Sequence, residues 1–469
     1  MTARTETGVD VGRLKKGVVG APGMVFMVVA ATAPLTAMSS NISLSLGMGV
    51  GPAVVLVMLL TGLLLAVFAV GYLVLARYVT CAGAYQAFVA FGLGRAAAGG
   101  VAFVAMLAYT LAAGGMVAAA GYFTGLAVSS VTGADLPWWP YAVGALLVTG
   151  LLGVRGVEVA QRVTTVVSVL QFGIIALLAL AVLVERPEGW ANPLVLSPSA
   201  ALGPGLALTF VFCLLSFGGF EATAAYGEET DAPVRSITVA TYAALGLLLG
   251  VFVVGTWALV AAFDDVRAAA LENPGALVLV AADRYLGPWS GPLLGVLIAV
   301  SFLAAAVAFH NLAIRYLFTL GRDGLLPRAL ARTHGRYQTP YVGCVVVTVV
   351  AVALLAPFVV LGADPLVNLF PAVSGITSIS LIGMMTACCV SVVVASVRGA
   401  VTGSVWSTRV APAVAGGGLL AVLVLIVANY AEVTGSDSPV IAATPAVVLV
   451  AAVAGAIAAR GSRGLEEGK

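Results

Sequence analysis

Charge is what this sequence has least of. Only 9% of its 469 residues are Asp, Glu, Lys or Arg, whereas a soluble domain carries roughly 25%. Histidine is scarce too, with two copies, and the five cysteines (Cys81, Cys213, Cys344, Cys388 and Cys389) form no Cys-x-x-Cys pair. These shortages exclude an ordinary soluble domain, a His/Cys metal centre and a disulfide scaffold. They also argue against an enzyme, which needs a convergent set of ionisable groups. The net charge is +2 and no basic patch is interleaved with aromatics, so nucleic acid is not an expected partner. No cofactor is implied. No small-residue cleavage site follows a short apolar core near the start, so the first apolar run is expected to be retained.

What fills the sequence instead is hydrocarbon: 61% of residues are hydrophobic and the mean hydropathy is +1.11. The apolar runs are long and continuous rather than alternating, which selects helices over a barrel as the way to satisfy the backbone in a bilayer. The expectation is an all-α polytopic membrane protein with twelve spans. They are placed at 18–46, 51–75, 96–128, 138–154, 163–184, 203–226, 236–262, 289–319, 340–361, 366–397, 408–430 and 438–459. Short tails, 1–17 and 460–469, flank them. With the N-terminus in the cytoplasm, 19 of the 22 Lys and Arg residues fall inside and only Arg186, Arg267 and Arg284 fall outside. The positive-inside rule therefore predicts a cell-membrane protein with both tails cytoplasmic.

Two spans carry interruptions. Span one contains Ala31-Thr32-Ala33-Pro34-Leu35, where the proline removes a backbone donor and clashes one turn back. Span six runs apolar into Ser216-Phe217-Gly218-Gly219-Phe220 and then meets Glu221, a lone carboxylate beside the break. Broken helices five spans apart are the mark of an inverted five-plus-five repeat with a binding site at the bilayer midplane. Repeat one would be 18–184 and repeat two 203–397, with 408–459 appended. Pro34 and Gly218-Gly219 taken singly are also common irregularities of membrane helices.

Three stretches resemble the amino acid–polyamine–organocation (APC) superfamily of permeases, in its bacterial amino acid permease branch. They are RYVTCAGAYQAFVAFGLG (77–94), FGGFEATAAYGEETDAPVRSI (217–237) and FHNLAIRYLFTLGRDGLLPRALARTHGRYQTPYV (309–342). Together they follow the family's order over residues 15–400. The resemblance implies a LeuT-type fold whose broken helices 1 and 6 hold a small-molecule substrate, an amino acid or amine. Its carboxylate would meet the span-one segment Ala31, Thr32, Ala33, Pro34 and Leu35. Its ammonium would meet the span-six segment Ser216, Phe217, Gly218, Gly219 and Phe220. Leu215, Phe217, Phe220 and Tyr109 of span three would read the side chain. The sequence departs from the family in having Cβ-bearing residues at the span-one break. It also has Gln171 where some relatives carry a span-five lysine, and Gln171 cannot titrate.

The resulting expectation is alternating-access transport of a neutral or apolar amino acid, coupled to protons through Glu221. A buried carboxyl has its charged form disfavoured, which suits proton uptake; the structural alternative is an acid that hydrogen-bonds the span-one break. Glu228, Glu229, Asp231 and Arg235 read as a cytoplasmic gate or solvated cap. His310 reads as an interhelical polar contact or a titrating group. Thr32, Ser216 and Ser301 read as lining a site, or a cation site between spans one and eight, or as hydroxyls bonded to their own helices, the commoner case in membranes. The rival readings are an exchanger or exporter of an amine or amino-acid-derived metabolite, and a non-transporting partner subunit or sensor.

Overall fold

The computed structural model describes residues 25, 32–79, 84–134, 136–155, 158–220, 233–334, 339–435 and 442–461, and these are helical with no strand among them. Among the described residues, seven helices are long and apolar enough to cross a membrane, and four shorter apolar helices accompany them. Leu147, Val349 and Leu449 are each at least 60% exposed on the outer faces. A water-soluble protein would not present so much contiguous hydrocarbon. The bilayer is the solvent that these faces match.

The first helix with both ends among the described residues, α1 (34–48), starts at Pro34, and Ala33 before it has φ 44°. It runs through a π-helical stretch, Met38–Ile42, and ends at Met48. The remaining helices of the first half are α2 (Val54–Leu75), α3 (Ala84–Leu93), α4 (Arg95–Thr132), α5 (Trp138–Arg155) and α6 (Glu158–Glu185). The short helix α7 (Leu206–Ser216) follows, stopping at the Gly218-Gly219 turn. Beyond it come α8 (Pro233–Ala262), α9 (Val266–Glu272), α10 (Leu277–Leu286), α11 (Ser290–Arg322), α12 (Tyr341–Val360), α13 (Phe370–Val397), α14 (Ala411–Ala428) and α15 (Pro445–Gly461).

The packing puts α1 at the centre, against α6, α7, α8, α9 and α11. Its hydroxyl-rich sequence is tolerated there because four of its five hydroxyls bond carbonyls one turn back, Ser39 being the exception. Ser40 Oγ donates to Thr36 O and Ser45 Oγ to Asn41 O, each at 2.7 Å. Outside this centre, small residues allow close helix contact, the usual basis of association in lipid. Gly99 of α4 and Gly455 of α15 meet backbone to backbone, and a Cβ on either would collide with the other's carbonyl group.

The two ends of the bundle are closed by different means. On the side of Arg186, helices α9 and α10 form a cover that hydropathy alone did not mark. Asp265 caps α9 by accepting from Ala268 N at 3.0 Å, and the helix lies on α1 with the Ala270 backbone against Gly47. Arg186 Nη2 meets Asp264 Oδ1 at 2.6 Å, and these two hydrogen-bonding neighbours, Asp264 and then Tyr285, hold the guanidinium further above its ordinary pKa. On the opposite side, α3 is tied to α13: Ser391 Oγ donates to Phe88 O at 2.6 Å, and Arg398 Nη1 to Gly92 O at 2.9 Å.

Candidate functional site

The start of α1 and the end of α7 meet beside one cavity. It encloses about 760 Å³ of space between atoms, the part open to solvent included. Residues of α1, α4, α7, α11 and α13 form its wall. No Asp, Glu, Lys, Arg or His is among the described residues that line it. Its polarity comes instead from Thr32, Thr36, Ser40, Asn41, Ser216, Ser374, Thr377 and the Tyr109 phenol, set among Met116, Leu215, Phe302, Phe309 and Phe370.

The start of α1 is held by one long-range side chain. Gln171 of α6 is 1% exposed, and its Oε1 accepts from Leu35 N at 3.0 Å. Its Nε2 donates to Ser301 Oγ of α11, and Ser301 in turn donates to Leu297 O at 2.6 Å. Thr36 N and Thr36 Oγ1 both turn back to Ala33 O, at 2.9 and 2.6 Å. The donors Leu35 N and Thr36 N of the first turn are therefore already engaged. What remains at this end is the macrodipole, about half a positive charge, facing the cavity side.

The end of α7 is built locally. Phe217 N donates to Leu214 O and Gly218 N to Leu215 O, at 3.2 and 2.9 Å, in a tightened last turn. Gly219 then takes φ 106°, a conformation from which a Cβ is largely barred. Leu215, Ser216, Gly218 and Gly219 all border the cavity, with the negative end of the helix dipole among them.

The residues anticipated from the sequence divide accordingly. Thr32, Tyr109, Leu215, Ser216, Gly218 and Gly219 line the cavity. Ala33, Pro34 and Leu35 are buried behind it, shaping the break without forming the wall. Phe217 is turned away, with its ring edge-on to Phe252 of α8 at 5.5 Å. Phe220 borders a smaller neighbouring cavity with Tyr85 and Met385 and meets Phe68 edge-on at 6.1 Å. Ala31 and Glu221 lie outside the described residues, as do Glu228, Glu229 and Asp231. Arg235 is exposed at the start of α8. His310 sits between α11 and α12 with Nε2 3.3 Å from Thr348 Oγ1, away from the cavity wall.

Sequence reading missed the contribution of α13 (Phe370, Val373, Ser374, Thr377 and Leu381) and of Asn41. The available signal was a polar face, Ser374, Thr377 and Ser378, within an otherwise apolar span. Asn41 bonds across to the other break, donating from Nδ2 to Ser216 Oγ at 3.1 Å.

Comparison with known proteins agrees with this geometry. A family model described as "Amino acid permease" matches residues 19–453. The branched-chain amino acid permease BcaP of Bacillus subtilis is 24% identical over 43% of this chain, and the chain spans only 42% of that relative's length. The methylthioribose transporter of the same organism is 25% identical over 66% of this chain and 68% of its own. The low-affinity putrescine importer PlaP of Escherichia coli is 26% identical over 53% of this chain and 55% of its own. Among solved structures, MhsT in complex with L-phenylalanine superposes with TM-score 0.62 at 18% identity, covering 87% of this chain and all of its own. A manganese transporter of Eremococcus coleocola gives TM-score 0.57 at 14% identity, covering 97% of both chains. At these identities the structural likeness speaks to the fold, and the fold is the LeuT-type bundle of broken helices.

Proposed function

The chain belongs to the amino acid permease family, and from that premise we propose that it carries an amino acid with an uncharged side chain by alternating access. The observation that supports this most directly is the cavity. It has no ionisable acid or base among its described lining residues, yet it lies between the positive end of α1 and the negative end of α7. Opposed half-charges suit a zwitterion, whose carboxylate and ammonium each find the complementary helix end. A diamine would need two anionic partners, and a cationic or anionic side chain would need one counter-charge; the described wall offers neither. The membrane is the cytoplasmic one with both tails inside, as the charge bias argues.

Coupling is assigned to protons rather than sodium. Between α1 and α11, the place for a hydroxyl-bound cation, Ser301 already accepts from the Gln171 amide. The positive end of an amide dipole directed at that oxygen opposes a metal cation there. Glu221, which follows the last described residue of this stretch, Phe220, is the proton carrier on this reading. The two repeats, 18–184 and 203–397, supply the halves that rock against each other.

The test is uptake of labelled amino acids and amines by purified protein in liposomes, with and without an inward proton gradient. Gradient-driven uptake of uncharged amino acids, lost in Glu221→Gln, is the expected result. Uptake that ignores the gradient and requires internal substrate would replace symport by exchange. Selective uptake of diamines would overturn the substrate class.

A further inference from the structure

Three hydroxyls of the cavity wall are occupied by carbonyls one turn back on their own chain segment. Thr36 donates to Ala33 O, Ser40 to Thr36 O and Ser216 to Phe212 O, all at 2.6–2.7 Å. This back-bonding is the default for Ser and Thr in membrane helices. Two polar oxygens of wall residues are buried and unserved, Oδ1 of Asn41 and Oγ1 of Thr377. Neither has a hydrogen-bond partner among the described residues, and their residues are only 7% and 3% exposed.

The chemistry of each is fixed by its surroundings. The Ser216 proton goes to Phe212 O at 2.7 Å, so the Ser216 oxygen is left to accept from Asn41 Nδ2. That orients the amide and makes Oδ1, an acceptor, the unserved atom. Other hydroxyls of the Thr377 helix find partners, on the helix itself or across from it: Ser378 donates to Val211 O at 3.1 Å and Ser391 to Phe88 O at 2.6 Å. Ser380 donates to Ile376 O and Thr386 to Ile382 O, each at 2.8 Å, while Thr377 makes no equivalent bond. Its hydroxyl is therefore free both to donate and to accept. A buried acceptor left unserved is costly, and a ligand that donates to it recovers that cost.

We propose that Asn41 and Thr377 select a substrate whose side chain ends in a hydroxyl or a carboxamide, on the pattern of threonine, serine, asparagine or glutamine. This rests on the transporter reading above and narrows its substrate class. It also revises the apolar preference anticipated from Leu215, Phe217 and Phe220, of which Phe217 faces α8 and Phe220 the smaller cavity. A site with unserved polar atoms rejects the isostere that cannot serve them far more strongly than an apolar pocket rejects an added hydroxyl.

The experiment measures uptake of labelled L-threonine against its isostere L-valine, and of L-asparagine against L-leucine, in liposomes bearing the full-length protein, Thr377→Val or Asn41→Leu. The wild-type protein is expected to prefer threonine by at least about tenfold in kcat/KM. In Thr377→Val that ratio should fall to within about threefold, by loss of threonine uptake and not of valine uptake. Thr377→Val is isosteric, so the threonine-to-valine ratio remains decisive should Asn41→Leu fail to fold. Wild-type uptake of valine equal to threonine overturns the selection while leaving the transporter intact. A ratio unchanged in both variants, with all uptake lowered alike, overturns it too, since the two groups would then serve the common ammonium or carboxylate. Failure of any amino acid to be transported removes the reading on which both stand.

Discussion

The two breaks that face the cavity are built from opposite materials. At α7 the chain turns through Gly218 and Gly219, with φ 106° at Gly219 and short-range hydrogen bonds to Leu214 and Leu215. At α1 the turn is made by Ala33 and Pro34, with the alanine in the left-handed region at φ 44° and the next amide held by Gln171, 136 residues away in sequence. A glycine break needs no outside support. A break made of Cβ-bearing residues persists only when the surroundings over-determine it. The difference teaches that the α1 start is a tertiary feature, dependent on α6 and α11, while the α7 end is a local one.

The sharpest way to break this contrast is Gln171→Leu. It strands the Leu35 amide in a buried site and frees Ser301, and the loss of a buried partner costs about 1–3 kcal/mol. We expect uptake clearance to fall about 10- to 100-fold. Wild-type clearance in this variant would mean that the break holds itself. Next in size is Gly219→Ala, which forces a Cβ into a positive-φ conformation at a cost of about 1–3 kcal/mol. The melting midpoint of the purified protein should drop, whereas an unchanged midpoint would show that this turn relaxes freely. The converse, Ala33→Gly, relieves strain of about 1–2 kcal/mol but adds unfolded-state entropy, so a rise of less than about 1 kcal/mol in stability is expected. A clear fall in midpoint would contradict the strain argument. The smallest effect belongs to the coupling ion: replacing external sodium by choline should leave uptake within about twofold, because Ser301 at the α1–α11 contact is already engaged by Gln171 and Leu297. Loss of uptake in choline would point to sodium after all.

Much of this architecture was readable in the sequence, because a bilayer imposes a simple code. Runs of hydrocarbon long enough to cross it, such as 51–75 and 341–360, leave little choice but helix. Pro34 and the Gly218-Gly219 pair announced the breaks for the same reason, since each removes something a continuous helix needs. What stayed hidden depends on rotation about a helix axis and on distant partners. Phe217 and Leu215 are two residues apart, yet one packs against α8 and the other borders the cavity. Thr377 looks in sequence like Thr386 or Ser380, and only the structure shows that its hydroxyl makes no bond to its own helix. Gln171 was noticed for the charge it does not carry, but its hydrogen bonds to Leu35 and Ser301 span three separate helices. The cover formed by α9 and α10 escaped because short amphipathic helices lack a hydropathy signal of their own.

The π-helical stretch Met38–Ile42 gives α1 a phase shift. One additional residue in that turn means that the two halves of the helix no longer share a common set of faces. The half before it presents Thr36 and Ala37 to the cavity, and the half after it presents Gly47 to α9. Asn41 sits in the offset itself. Deleting a single residue there would restore regular winding and rotate everything beyond by about 100° relative to what precedes it. The helix would remain intact, but its cavity face and its cover face would no longer both be in register with their neighbours. A one-residue deletion within Met38–Ile42 is therefore expected to be more disruptive than most substitutions on the cavity wall.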